Sequence, residues 1–287
     1  MSIGIIGAGF VGTAVYHGFS PCYDIKIYDK YKPGYNTLEE VVKKQFIFIC
    51  LPTPYSLTDG KQDLHYIHDV LDKINNMLYR KDKYIKKIII KSTVLPGTCE
   101  KLQNMYPEFH ILFNPEFLTE RTSILDFINQ HRIILAGKDI DVLQIVGTMF
   151  YQRFPHAKYY LTTKFEEAEL VKYMLNCYFA SKVSFMNEIY EICEKMSLNY
   201  ETVKNMFLGD GRVSNSHVNV PGPDNFKGFG GKCFPKDLNS FINWGITNGF
   251  NMDMFKAAEK VNQRVREVKD WETIQGAVSN CKFEGEE

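Results

Sequence analysis

Neither sign of charge is in excess in this 287-residue chain, since 34 Lys and Arg balance 34 Asp and Glu. Partners that are polyanions select concentrated positive charge, so nucleic acid and acidic membrane surfaces are not expected partners. Cysteine is sparse and scattered, with seven residues from Cys22 to Cys281 and no C-x-x-C. That pattern suggests neither a disulfide framework nor a metal site, and points to reduced thiols. Long hydrophobic runs are missing as well: none reaches the roughly 18 residues of a spanning helix. The N-terminus opens on a strand-like Ser2–Ile6 rather than a charged and then apolar leader, so a cytoplasmic protein without a membrane partner is the expectation. Tryptophan is rare, at 2 residues, but 21 Phe and 17 Tyr supply large side chains for a core.

The length fits two domains at about 100–200 residues each. Short β-branched runs alternate with helical segments through the first half, the pattern of a parallel sheet wrapped by helices. Strands are expected at Ser2–Ile6, Asp24–Asp29, Phe46–Leu51, Tyr84–Lys91, His110–Phe113 and Arg132–Ala136, with a further one near Tyr159–Leu161. Helices are expected over 10–19, 37–44, 64–79, 97–105 and 139–150. Phe165 to Met196 then runs 32 residues without Gly or Pro and is apolar nearly all round, which predicts one long, mostly buried helix. A short helix follows at Tyr200–Phe207, then a Gly-rich irregular stretch from Gly209 to Cys233, then helices at Pro235–Trp244 and Met252–Val268, and a frayed acidic tail ending in Glu284, Glu286 and Glu287. The fold class is therefore α/β: a Rossmann-type, doubly wound parallel sheet over residues 1–163, followed by an all-α domain over 164–287 with a short tail. A loop as long as Gly209–Cys233 inside a domain is usually functional.

Gly7, Gly9 and Gly12 form G-x-G-x-x-G directly after the first strand and at the start of a helix. The first glycine permits the tight turn, the second lets backbone approach a pyrophosphate at the helix N-terminus, and the third brings helix close to strand. Asp29 ends the second strand about 20 residues on, where a carboxylate accepts from ribose hydroxyls and repels a 2′-phosphate, which favours NAD over NADP. Lys30 and Lys32 soften that preference. Leu51-Pro52-Thr53-Pro54 and Lys91-Ser92-Thr93-Val94 lie at the same end of the sheet, as ligand loops or as turn punctuation.

Three places carry candidate chemistry. Glu116, between Pro115 and Phe117, is an acid in apolar surroundings suited to proton transfer, or a surface charge like Glu120. Glu169, Lys172 and Asn176 share one face of the long helix; Lys172 and Asn176 are either a snorkelling lysine and a capped amide, or donors to a substrate oxyanion. Cys233 follows a Gly-rich turn and precedes Pro235 at a helix start, where the helix N-terminus, Lys232 and Lys236 favour a thiolate. The other six cysteines read as small buried hydrophobes.

Taken together and in order, GAGFVG, LPTP, KST, NPEFLTE, HRIILAG, AELVKYMLNCYFASKVSFMNE, VPGPD and GFGGKCFPKD resemble the UDP-glucose/GDP-mannose 6-dehydrogenase family, nearer its UDP-glucose branch. The resemblance runs from the start of the chain to about Asn262. It implies NAD held by Gly7, Gly9, Phe10, Val11, Gly12, Asp29, Lys32, Pro52, Thr53, Thr93 and Glu120. It implies Cys233 as nucleophile, Lys172 and Asn176 on the reacting oxygen, Glu120 with Thr93 in proton transfer or water positioning, and Asp237 beside the lysine and water. Glu116, Phe117, Leu118, Arg212, His217, Phe229 and Gly230 join Lys172 and Asn176 around the nucleotide sugar. A homodimer through the long helix, with Arg212 reaching a neighbouring subunit's substrate, is a further implication. So is a four-electron oxidation of UDP-glucose to UDP-glucuronate. Members normally carry a third, C-terminal domain that holds much of the nucleotide, and this chain is expected to lack it. Two other readings compete: a non-catalytic or partner-dependent binder of NAD or a nucleotide sugar, and a two-electron 3-hydroxyacid dehydrogenase. Cys233 argues against the latter, because a single hydride transfer needs no nucleophile.

Overall fold

Alternating side chains along the strands divide one sheet into two apolar faces, as a computed structural model describing residues 1–78, 85–274 and 276–279 shows. The expected residues Tyr79, Tyr84 and Cys281 and the acidic tail lie outside the described residues. The chain separates into two units, one of Met1–Thr53 with Leu64–Lys172, the other of Pro54–Asp63 with Tyr173–Glu287.

In the first unit β1 (Ser2–Ile6), α1 (Phe10–Phe19), β2 (Asp24–Tyr28), α2 (Leu38–Val42) and β3 (Phe46–Ile49) follow one another. The short β4 (Tyr55–Ser56) belongs to the second unit, after which α3 (His65–Leu78), β5 (Lys86–Ile90), α4 (Thr98–Met105) and β6 (Phe109–Phe113) resume the pattern. Then come α5 (Ser123–Ile128), β7 (Arg132–Gly137), α6 (Ile140–Arg153) and β8 (Lys158–Thr162). Phe46 and Phe48 pack with Phe19, Phe127 and Phe150 on one face, whereas Ile47 and Ile49 pack with Val41, Leu71 and Leu102 on the other. Each such side chain, fully removed from water, contributes roughly 1.5–3 kcal/mol.

The seven strands run in the order β2-β1-β3-β5-β6-β7-β8. An all-parallel sheet is not what forms: β6 and β7 are antiparallel, pairing Leu112 with Gly137 and Phe113 with Ala136. The connection over residues 114–131 carries α5, not foreseen from the sequence, which packs Phe127 into the core.

The second unit holds the body of α7 (Phe165–Lys195), then α8 (Tyr200–Leu208), α9 (Phe234–Thr247), α10 (Asp253–Val265) and β9 (Val278–Ser279). Its two-residue strands β4 and β9 pair in parallel, so this part is not purely helical as expected. Two residues show no periodicity that a sequence reading could use. Among the described residues no helix is long and apolar enough to cross a membrane, and no group of three or more His, Cys, Asp or Glu is placed to hold a metal.

Candidate active site

The glycine motif of the first unit builds a cradle. Gly7 turns at φ +98°, and a Cβ there would lie 2.4 Å from the Cys50 carbonyl oxygen. A Cβ on Gly12 would fall 1.9 Å from the Gly7 carbonyl oxygen, so α1 reaches the turn only as glycine. Gly9, the N-cap of α1, faces open space and offers no side-chain cap. The first amides of α1 are thus left for an anion such as a dinucleotide diphosphate. Phe10 and Val11 flank this opening, half-buried. Asp29 lies one residue past β2; it accepts from the Ala8 amide at 2.8 Å and from the Tyr31 and Lys32 amides at 2.9 and 3.1 Å. Lys32 donates its ammonium to the Ala8 carbonyl at 2.7 Å. Carboxylate and glycine turn are therefore held together before any ligand arrives, and the residues fit NAD. Pro52 and Thr53 follow β3, and the Thr53 hydroxyl ties this loop to the next by donating to the Thr93 carbonyl at 2.7 Å. Gly12→Ala is expected to abolish measurable NAD binding and to destabilise the first unit by about 1–3 kcal/mol, as overpacking does, read by NAD titration and denaturant unfolding.

Behind the cradle lies a buried charge cluster. Lys172 Nζ stands 2.7 Å from Glu116 Oε1, the two side chains only 3% and 6% exposed. Glu116 Oε2 accepts from the Leu118 amide at 2.7 Å, and the Lys172 ammonium lies 5.8 Å from the Phe117 ring centre. Glu116 is therefore the counter-ion of Lys172 and not the isolated acid its apolar neighbours suggest. Lys91, in the KST run, was legible as the end of a strand and the start of a loop for ligand or turn, not as a buried cation. In the fold it is buried and donates to Asn114 Oδ1 at 2.7 Å, while Asn114 donates onward to the Ile134 carbonyl. Burial brings the Lys91 ammonium down to about 8, against the pull of Cys50 and Glu116. Its signal in the sequence was a lysine placed directly after Ile88-Ile89-Ile90, at the end of a buried strand.

Glu169 does not share the chemistry of its helix face. It accepts from the Gly97 and Cys99 amides at 2.6 and 2.8 Å, capping α4, whose own N-cap is a glycine. Burial outweighs those two amides and pushes the carboxyl up to about 7 from an ordinary 4.5. An acid whose pKa is higher in the folded chain binds more protons there than in the unfolded one, so its contribution is complete at low pH and fades as pH rises between those values. Stability is expected to fall across that window by at most about 1.4 kcal/mol per pH unit, and Glu169→Gln should flatten the slope in thermal unfolding measured against pH. Glu120, by contrast, is exposed, on the one-turn 3-10 helix Glu120–Thr122, and Thr93 is half-buried.

In the second unit Cys233 is the half-buried N-cap of α9, with Pro235 in its first turn. Asn176 donates to Asp237 Oδ2 at 2.5 Å, and Lys236 pairs with Asp237 Oδ1. All three are buried. Lys236 is thus neutralised by its neighbour and does not add net positive charge near the thiol as expected. Burial pushes the Cys50 thiol up to about 12 and raises Cys99 and Cys177 as well, which suits inert core residues. Cys22 differs from the expectation in being exposed. The Gly-rich stretch is pinned by Asn187, which accepts from the Gly228 amide, and by Asn262, which exchanges two hydrogen bonds with Phe229. His217 stacks on Phe179 at 4.1 Å between ring centres and stands 5.5 Å from Phe234. Partial burial, aided by Lys182, holds its imidazole below the usual range. Arg212 is exposed and pairs with Asp210. Phe229 is buried and Gly230 half-buried.

Residues 26–154 match the NAD binding domain of the UDP-glucose/GDP-mannose dehydrogenase family, and residues 166–264 match that family's central domain. A UDP-glucose 6-dehydrogenase of Rickettsia bellii is 34% identical over 74% of this chain and 48% of its own length. One from Rickettsia felis is 31% identical over 78% and 49% respectively. The chain thus spans about half the length of these curated relatives. A solved UDP-glucose dehydrogenase from the hyperthermophilic archaeon Pyrobaculum islandicum matches with a TM-score of 0.81 at 28% identity, over 92% of this chain and 68% of that one.

Proposed function

The chain belongs to the UDP-glucose/GDP-mannose dehydrogenase family, and from that premise we propose that it is an NAD-dependent nucleotide-sugar 6-dehydrogenase that takes UDP-glucose to UDP-glucuronate through a thioester on Cys233. The observation that carries this reading is Cys233 at the N-cap of a 14-residue helix whose first turn also presents Asp237, bound to Asn176. A helix N-terminus favours a thiolate, the form that attacks a carbonyl carbon.

NAD, when bound, accepts a hydride in each of the two oxidations. Gly7, Gly9, Gly12 and Asp29 hold it, with Lys32, Pro52 and Thr53 beside them. Lys172, oriented by Glu116, donates to the oxygen on C6 as that oxygen passes its proton to a water held by Lys172 and its carbon loses a hydride, so that the alcohol becomes an aldehyde. The Cys233 thiolate then adds to the aldehyde carbon; a C–S bond forms and the oxygen takes a proton, giving a thiohemiacetal. Loss of that proton and of the second hydride leaves a thioester. Water adds to its carbon, the C–S bond breaks, and carboxylate and thiol are released. Asn176 and Asp237 orient oxygen and water in these steps, Glu120 and Thr93 position the hydrolytic water, and Phe117, Leu118, Arg212, His217, Phe229 and Gly230 contact the nucleotide sugar. A thiol nucleophile of this kind works in the reducing cytoplasm.

A second copy of the chain is the proposed partner. Met174, Tyr178, Phe185 and Ile192 of α7 are each exposed by half or more, and at 3.6 residues per turn they fall within about 40° of one line along the helix. An apolar stripe of that kind fits a helix-to-helix interface.

The test is the amount of reduced nicotinamide formed per UDP-glucose consumed, with NAD in excess. A ratio of about two supports four-electron oxidation through a covalent intermediate. A ratio of one would remove the thioester step. No turnover with NAD binding intact would leave a binding module.

A further inference from the structure

The turn leading into Cys233 is held by two residues that no motif contains. Arg266 has a side chain only 1% exposed, and a buried guanidinium needs its donors filled. It donates to Asp224 Oδ2 at 2.7 Å, to the Val268 carbonyl at 2.8 Å and to Asp270 Oδ1 at 3.0 Å. The other oxygen of Asp270 accepts from the Gly231 amide at 2.9 Å. Gly231 has φ +72° and lies two residues before Cys233. Gly230 explains why the pair can approach so closely: a Cβ there would fall 2.2 Å from both Arg266 Nη2 and Asp270 Oδ1.

We propose that Arg266 and Asp270 are positioning residues for the Cys233 thiol, a latch that fixes the Gly230–Gly231 turn from which the nucleophile projects. The proposal rests on the reading of Cys233 as nucleophile. A carboxylate whose two oxygens are divided between a guanidinium with a partner on each of its three nitrogens and one backbone amide has a single orientation, and it transmits that orientation to the turn through a charge-assisted hydrogen bond. Gly230 is then small for the sake of the guanidinium and not for flexibility.

Iodoacetamide labelling of the full chain, resolved peptide by peptide, tests this without substrate. Exposed Cys22 serves as internal reference, and buried Cys193 reports unfolding. Asp270→Ala and Gly230→Ala are expected to change the Cys233-to-Cys22 labelling ratio by at least about threefold and to lower kcat at least about tenfold with KM for NAD unchanged, since a small misplacement of a reacting group is costly. Asp270→Asn keeps an acceptor for the Gly231 amide but turns an amide NH2 toward the Arg266 guanidinium, so both values should fall between those of Asp270→Ala and wild type. An unchanged ratio in Asp270→Ala, with Cys193 still protected, overturns the latch. Should Asp270→Ala expose Cys193, Gly230→Ala, which removes no polar group, is judged by the same criterion. A wild-type chain without turnover would end the dehydrogenase reading, yet the labelling ratio would still decide the latch.

Discussion

Cys233→Ser is expected to abolish formation of the acid, by at least about a thousandfold in rate, while leaving the affinity for NAD nearly intact. A serine hydroxyl at the N-cap of α9 stays protonated at neutral pH, so it does not add to an aldehyde as the thiolate does, and no thioester forms. The NAD cradle of Gly7, Gly9, Gly12 and Asp29 lies in the other unit of the chain and keeps its hydrogen bonds. No buried thiol is suited to replace Cys233: Cys50 is pushed up to about 12, and Cys99 and Cys177 are raised as well. Product analysis by mass spectrometry beside an NAD titration checks both halves of the expectation. Full acid formation by the serine variant would falsify the thioester route.

The second large effect concerns the ion pair of Lys172 and Glu116. Lys172→Met is expected to cost about 3–5 kcal/mol of stability, because it leaves a buried carboxylate without its partner. The double variant Lys172→Met with Glu116→Leu should recover a large part of that loss, since two apolar side chains replace the pair, with Lys91 losing both the attraction of Glu116 and the repulsion of Lys172. Turnover should be absent from both variants. Denaturant unfolding of the two single variants and the double gives the coupling. Additive losses would show that the two charges do not depend on each other, whereas a stable but inactive double variant separates the proposed catalytic use of Lys172 from its packing.

How far the site could be read in advance depends on the distance over which each part is determined. The cradle was legible because G-x-G-x-x-G, its strand and Asp29 fall within one βαβ run, and each glycine answers a local steric demand. The candidate nucleophile was legible for a similar reason, since a glycine turn, a cysteine and a proline at a helix start are all neighbours. Lys91 and Glu169 were not. One is a lysine directly after a buried strand, and the other caps a helix through amides 72 and 70 residues away. Glu116 and Lys172, 56 residues apart, and Asn176 and Asp237, 61 apart, were each picked out singly, but neither pairing was.

Backbone preference and hydrophobic period act over a few residues, and they were enough to determine most strands, the long Gly- and Pro-free helix and the glycine turn at the N-terminus of α1. The antiparallel pairing of β7 with β6 was decided only in three dimensions, and the β4–β9 pair by contact between segments with no periodicity of their own. The charged partners of Lys172, Asp237 and Arg266 were likewise decided only in three dimensions. A buried charge must find a counter-charge or a donor wherever packing brings one, and packing is a property of the whole fold.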